Sequence, residues 1–183
     1  MQLLGKLEIK SKERIIEFLS SQQTGRISSI DENGFPQIIP MNFVFINDAV
    51  YIHSHIRGEK LDNIRRNQKV GFEVDKSLEF LPSYFSDPTD ASLADTLYIS
   101  VVIKGNASIV SNKEEKTIAL NGLMKKYQPE GGYEPIKPDM DVAFVGPYHP
   151  STFSFGGYRK KVKPADIAGW DTPIWNPKAS TAK

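Results

Sequence analysis

The sequence predicts a mainly β fold, an antiparallel barrel or sandwich with peripheral helices. Three observations predict it. Strand patterns recur at short spacing, tight-turn signals separate them, and helical periodicity is confined to a few short stretches. With 183 residues the chain suits one domain with extensions.

The elements follow in order. Ser11 can cap a helix through about Ser21, with Ile15, Ile16, Phe18 and Leu19 on its apolar side. Gly25 to Asp31 reads as a strand, and Asn33-Gly34 supplies a hairpin turn. Phe35 to Ile46 reads as one long strand, apolar on both faces and therefore central. Asn47-Asp48 turns the chain into a strand over Ala49 to Ser54. Arg57 to Asn67 has helical spacing, with Leu61 and Ile64 facing inward. Lys69 to Asp75 is a strand, Lys76 to Asp95 a long loop carrying Phe80, Tyr84 and Phe85, and Thr96 to Val110 a strand bent at Gly105. Asn112 and Glu115 suggest a capping box opening a helix to about Tyr127. Late strands are expected over Met140 to Gly146 and Thr152 to Gly156, before a tail with Trp170 and Trp175.

Composition excludes several classes. Hydrophobic residues make up 39% and charged residues 25%, with a net charge of +1. That balance describes a soluble folded chain without a global electrostatic footprint for nucleic acid. Cysteine is absent, so disulfides, thiolate metal sites and cysteine nucleophiles are excluded. No stretch has the apolar length of a membrane span or signal core, which makes a cytoplasmic location the default expectation. Without clustered carboxylates or a His-Glu-x-x-His pattern, no dedicated metal site is expected.

Two places could carry chemistry. Where the chain enters the helix near Gly58, Lys60 falls in the first turn, Arg57 just before it, and Arg65 and Arg66 beyond. Cations there oppose the helix dipole, and a bound anion would remove the conflict. Gly58 leaves room for a phosphate to approach backbone N–H groups. The competing reading is a solvated basic helix face; His53 and Ser54 immediately upstream favour the phosphate. The second place is Pro40-Met41-Asn42-Phe43. A proline inside a strand marks an edge or a bulge. Asn42 offers both donor and acceptor groups to a flat heteroaromatic rim; an ordinary bulge is the alternative.

The segments GRISSIDENGFPQIIPMNFVFINDAVYIHS, GEKLDNIRRNQKVGFEV and LYISVVIKGNASIVSNKEEKTIALNGLMKKY, in this order and spacing, resemble the pyridoxamine 5′-phosphate oxidase-like family. Within it they look most like the nitroimidazole-resistance (Nim-type) flavoproteins, and the resemblance covers roughly Ile15 to Tyr127. It implies an FMN-binding split β-barrel over residues 1–158 with a C-terminal extension over 159–183. It also implies a homodimer with FMN in two symmetric clefts at the interface. Carried over, Pro40, Met41, Asn42 and Phe43 would lie along the flavin ring, Asn42 mostly through backbone. His53 and Ser54 would reach the ribityl–phosphate portion. Lys60 with Arg57 would hold the phosphate beside Gly58, and Tyr98, Ser100 and Val101 would line the cleft.

The implied activity is that of an FMN-dependent oxidoreductase, nitroimidazole-reductase-like, acting on a small-molecule substrate with a nicotinamide electron donor. His53 is the one candidate catalytic proton donor. The alternative is a flavin- or haem-binding module without turnover. The arginine-rich C-terminal substrate pattern of the oxidase itself is not found, which argues against vitamin B6 oxidation.

Overall fold

Local turn chemistry sets the first elements of this computed structural model. It describes Ile9, residues 11–136, and the strand backbones Ala143–Gly146 and Phe153–Ser154. Ser11 caps α1 (Lys12–Ser21), its side chain accepting the Arg14 N–H, and Ile15, Phe18 and Leu19 are buried. Strand β1 (Gly25–Ile30) pairs with β2 (Pro36–Met41) across a turn in which Gly34 takes φ 86°. The Asp31 carboxylate accepts the N–H groups of Asn33 and Phe35 at 2.8 Å. Strand β3 (Phe43–Ile46) pairs with β4 (Ala49–Ser54), and Asn47 and Asp48 between them take φ 52° and 59°. Helix α2 (Glu59–Arg66) follows, then β5 (Lys69–Leu81), β6 (Asp95–Asn106), β7 (Ser108–Ile109), α3 (Lys113–Tyr127), β8 (Ala143–Gly146) and β9 (Phe153–Ser154).

The strands form two sheets, ordered β2-β1-β5-β6-β9 and β3-β4-β8-β7. The fold is mainly β and antiparallel, as expected, although the described strands do not close into a ring. The first compact unit holds residues up to Lys76 and from Ile99 to Gly156. The second includes Ser77–Tyr98, with short 3-10 turns over Ser83–Phe85 and Ala91–Leu93 and the Tyr84 and Phe85 rings 4.9 Å apart.

The first unit is built on alternation. Along β3 and β4, Phe43, Phe45, Val50 and Ile52 face the main core, which also buries Leu19, Ile27, Leu61, Ile64 and Ile103. The alternate residues Val44, Ala49 and Tyr51 pack with Ala119, Leu120 and Leu123 of α3 in a second cluster. The Phe43 and Phe72 rings meet edge to face at 5.1 Å.

Several sequence expectations need correction. The strand expected over Phe35 to Ile46 is two strands in different sheets, broken at Asn42. Only its second half is covered on both sides. β2 is an edge strand, and Phe35 and Ile38 are 68% and 63% exposed. The loop expected from Lys76 is strand as far as Leu81. The bulge or bend expected at Gly105 falls at Ala107, between β6 and β7 of the other sheet, with the Ala107 N–H donating to Gln68 O at 2.8 Å. The capping box is half formed. Asn112 accepts the Glu115 N–H at 2.8 Å, while the Glu115 carboxylate takes the Tyr51 hydroxyl at 2.9 Å instead. Among the described residues no helix is long and apolar enough to cross a membrane. The C-terminal extension lies outside the described residues.

Gly25 offers a test of core packing. A Cβ there would collide with Cζ of the buried Phe72 ring. Gly25→Ala is expected to destabilise the fold by about 1–3 kcal/mol, read as a lower urea midpoint at unchanged slope.

Candidate functional site

Helix α2 begins at Gly58, with φ 141° and ψ 155°, a region that residues with a Cβ rarely enter. The N–H groups of Leu61 and Asp62 close the first turn onto Gly58 O at 2.9 and 3.3 Å. No side chain caps this end, so the leading N–H groups of the helix have no partner within it. The expected start at Arg57 is two residues early; Arg57 is exposed and its N–H bonds His55 Nδ1 at 3.2 Å.

The basic cluster then separates into different roles. Arg65 pairs with Asp62 at 2.7 Å and Arg66 donates to Asn63 Oδ1 at 3.2 Å, both in the last turn where the helix dipole favours cations. Glu59 and Asp62 supply the favourable charge of the first turn. Lys60 differs. It is only 9% exposed, and its Nζ lies 3.4 Å from Met41 Sδ. Among the described residues no carboxylate pairs with it. Burial lowers its pKa from the ordinary 10.5.

Two neighbours fix this geometry. Asn63 is fully buried and its Nδ2 donates to Ser29 Oγ at 3.3 Å and Gln37 Oε1 at 3.2 Å, tying α2 to β1 and β2. His53 is exposed near the end of β4, with its pKa below the ordinary 6.5 through partial desolvation first and the Lys60 ammonium second. Ser54, half-buried, ends β4 opposite Ala143. Met41 of β2 and His53 of β4 therefore both lie close to Lys60, in the turn of α2 that follows Gly58.

Other expected residues are placed differently. Pro40 lies opposite Arg26 on the edge strand, and Asn42 is exposed at the crossing between the sheets. Phe43 and Val101 are fully buried, so neither presents its side chain to a ligand. Ser100 Oγ reaches Glu73 Oε1 at 3.4 Å on the far side of the sheet order, three strand spacings or roughly 14 Å from β2. Tyr98 belongs to the second unit.

Sequence reasoning missed a network beside Ser100. Arg26 bridges Glu73 at 3.0 Å and also Asp75. Desolvation first, then Asp75, raises the Glu73 pKa. Alternation on β1 and β5 was the available signal. An open groove of about 530 Å³ on the first sheet, lined by Ser28, Lys69, Gly71 and Lys104, contains none of the expected residues. Among the described residues no group of three or more His, Asp and Glu could hold a metal ion.

The sequence profile of the family described as pyridoxamine 5′-phosphate oxidase matches residues 11–151. The chain belongs to the pyridoxamine 5′-phosphate oxidase family. The split-barrel fold of this family accounts for the antiparallel sheets and peripheral helices. No curated protein matches the sequence. Among solved structures, the chain is similar to a candidate 5-nitroimidazole antibiotic resistance protein from Bacteroides thetaiotaomicron, at 21% identity and TM-score 0.67, covering 81% of this chain and 84% of that one. It is also similar to the FAD and haem binding protein from Mycobacterium smegmatis, at 14% identity and TM-score 0.70, covering 88% and 79%. A third is the flavocytochrome Anf3 from Azotobacter vinelandii, at 17% identity and TM-score 0.67, covering 90% and 85%. At these identities the likeness is one of fold.

The coupling between Lys60 and His53 can be measured. In Lys60→Met the His53 pKa, followed by NMR titration, is expected to move up toward 6.5, because a repulsive positive charge is gone. An unmoved His53 titration would refute the electrostatic link.

Proposed function

We propose that this chain is an FMN-dependent oxidoreductase, nitroimidazole-reductase-like, working in the cytoplasm as a homodimer with the cofactor at the interface. The observation that carries this reading is the buried Lys60 ammonium at the uncapped start of α2. A buried cation without a carboxylate is costly, and a phosphate monoester supplies the missing charge while accepting the leading N–H groups of the helix. The residues present fit the phosphate end of a mononucleotide. Gly58 has open space around it, and Lys60 lies beside Met41 of the strand proposed to run along the ring.

Each residue has a limited task. Lys60 and the first N–H groups of α2 hold the phosphate, with Arg57 near its solvent side. Met41 gives the ring an apolar contact, and the backbone from Pro40 to Asn42 runs along it, with Asn42 at its polar edge. His53, mostly neutral at pH 7 because its pKa is lowered, can accept a proton at its ring nitrogen and pass it on. When bound, the flavin supplies electron transfer between a nicotinamide donor and a small-molecule substrate. A second reading is a binding module without turnover, favoured by the structural neighbours described as binding FAD and haem.

The absorption spectrum of purified protein supplied with FMN tests the reading. A flavin spectrum bleached by NADH or NADPH supports an oxidoreductase; a flavin no donor reduces, or a Soret band, favours the second reading. Lys60→Ala is expected to weaken FMN roughly 10- to 100-fold while leaving riboflavin, which lacks the phosphate, near the parent value. Equal FMN affinity in parent and variant would refute the phosphate assignment.

The pH dependence has a definite sign. Lys60 loses its proton below the ordinary 10.5, so FMN affinity falls with rising pH before that value is reached. Lys60→Arg, charged throughout, is expected to flatten the fall in a fluorescence-quenching titration.

A further inference from the structure

Beyond the phosphate end, the last turn of α3 holds the backbone at the point where β2 gives way to β3. Asn47 and Asp48 form a two-residue hairpin closed by Ile46 and Ala49. In such a hairpin the closing pair is hydrogen-bonded, and bonded and non-bonded pairs then alternate. Phe43 opposite Ile52 is a non-bonded pair, so its N–H and C=O point away from β4. Among the described strands β3 is also an edge of its sheet, so none of them meets these groups there.

Two side chains of α3 take both groups. The Phe43 N–H donates to Tyr127 Oη at 2.9 Å, and Lys126 Nζ donates to Phe43 O at 3.0 Å. Lys126 Nζ also reaches Leu19 O at 3.3 Å and lies 3.7 Å from the centroid of the Phe43 ring. The single Tyr127 proton has Gln23 O at 2.7 Å and Phe43 O at 3.0 Å as acceptors. The Met41–Phe43 segment is thus held at Met41 by Lys60 and at Phe43 by Lys126 and Tyr127, leaving Asn42 exposed between them.

We propose that Lys126, with Tyr127, is a positioning residue for the flavin ring, fixing from behind the Asn42–Phe43 backbone against which the ring's polar edge rests. The inference rests on the site reading above and adds to it a residue that touches no ligand. Lys60 acts on the phosphate; Lys126 acts on the ring.

Comparing FMN with riboflavin separates the two roles. Lys126→Met keeps chain length and removes the donors. It is expected to weaken FMN and riboflavin alike, by roughly tenfold, and to change the visible circular dichroism of the bound flavin. Tyr127→Phe, which removes only the hydroxyl, is expected to shift the same two readouts in the same direction and serves where Lys126→Met does not fold. Folded variants with parental affinities and parental visible dichroism overturn the inference, even if they melt earlier. Loss of FMN affinity alone assigns these residues to the phosphate and also overturns it. A parent protein that binds neither flavin overturns the site reading, and this inference with it.

Discussion

A chain that leaves one sheet for another must break its ladder at the crossing, and the freed peptide groups need partners. Here the crossing is Asn42. Pro40 and Met41 still pair with β1, while Phe43 already pairs with β4. The side chain of Phe43 fills the main core against Phe72, and its peptide groups are satisfied by the end of α3. Core, sheet crossing and second helix cluster therefore meet at one residue. Apart from His53 on β4, the groups proposed to face a ligand lie next to that anchored point or at the start of α2.

Two lysines serve this arrangement by different physics. Lys60 is buried beside a thioether with no carboxylate among the described residues, so its charge remains available for an incoming anion. Lys126 is also desolvated, enough to bring its pKa down to about 8, but it is occupied by two carbonyls and an aromatic face. The first carries a charge that no described carboxylate balances; the second is a structural cross-link. Asn63, hydrogen-bonded to both β1 and β2, keeps the first lysine at a fixed distance from the sheet.

What could be read from the chain was what depends on near neighbours. Ser11 capping α1, Asn33-Gly34 and Asn47-Asp48 turning their hairpins, and Asn112 opening α3 are local effects, and each stands where expected. The nearness of His53 to Lys60 was legible too, because a strand end followed at once by a glycine-led helix narrows the geometry; Met41 came only from the family resemblance. The sheet crossing was not. Phe35 to Ile46 is apolar on both faces throughout, and only contacts with α3 separate its halves. Lys126 gave no signal, since its partners are carbonyls 83 and 107 residues away. Arg65 and Arg66 continue the basic run in sequence, but Asp62 and Asn63 hold them in the last turn, and that pairing depends on where the helix ends.

The two prolines of β2 carry one more consequence. Asp31 N–H bonds Phe35 O, so alternation makes residues 36, 38 and 40 the non-bonded positions opposite β1, with their amide positions turned to the free margin. Pro36 and Pro40 have no N–H to offer there, which leaves Ile38 as the one donor along that side of the strand. A margin so poor in donors is a weak template for a foreign strand, although Phe35 and Ile38 lie open to solvent beside it. Pro40, proposed to lie along the ring, thus joins Pro36 in protecting the molecule from edge-to-edge aggregation.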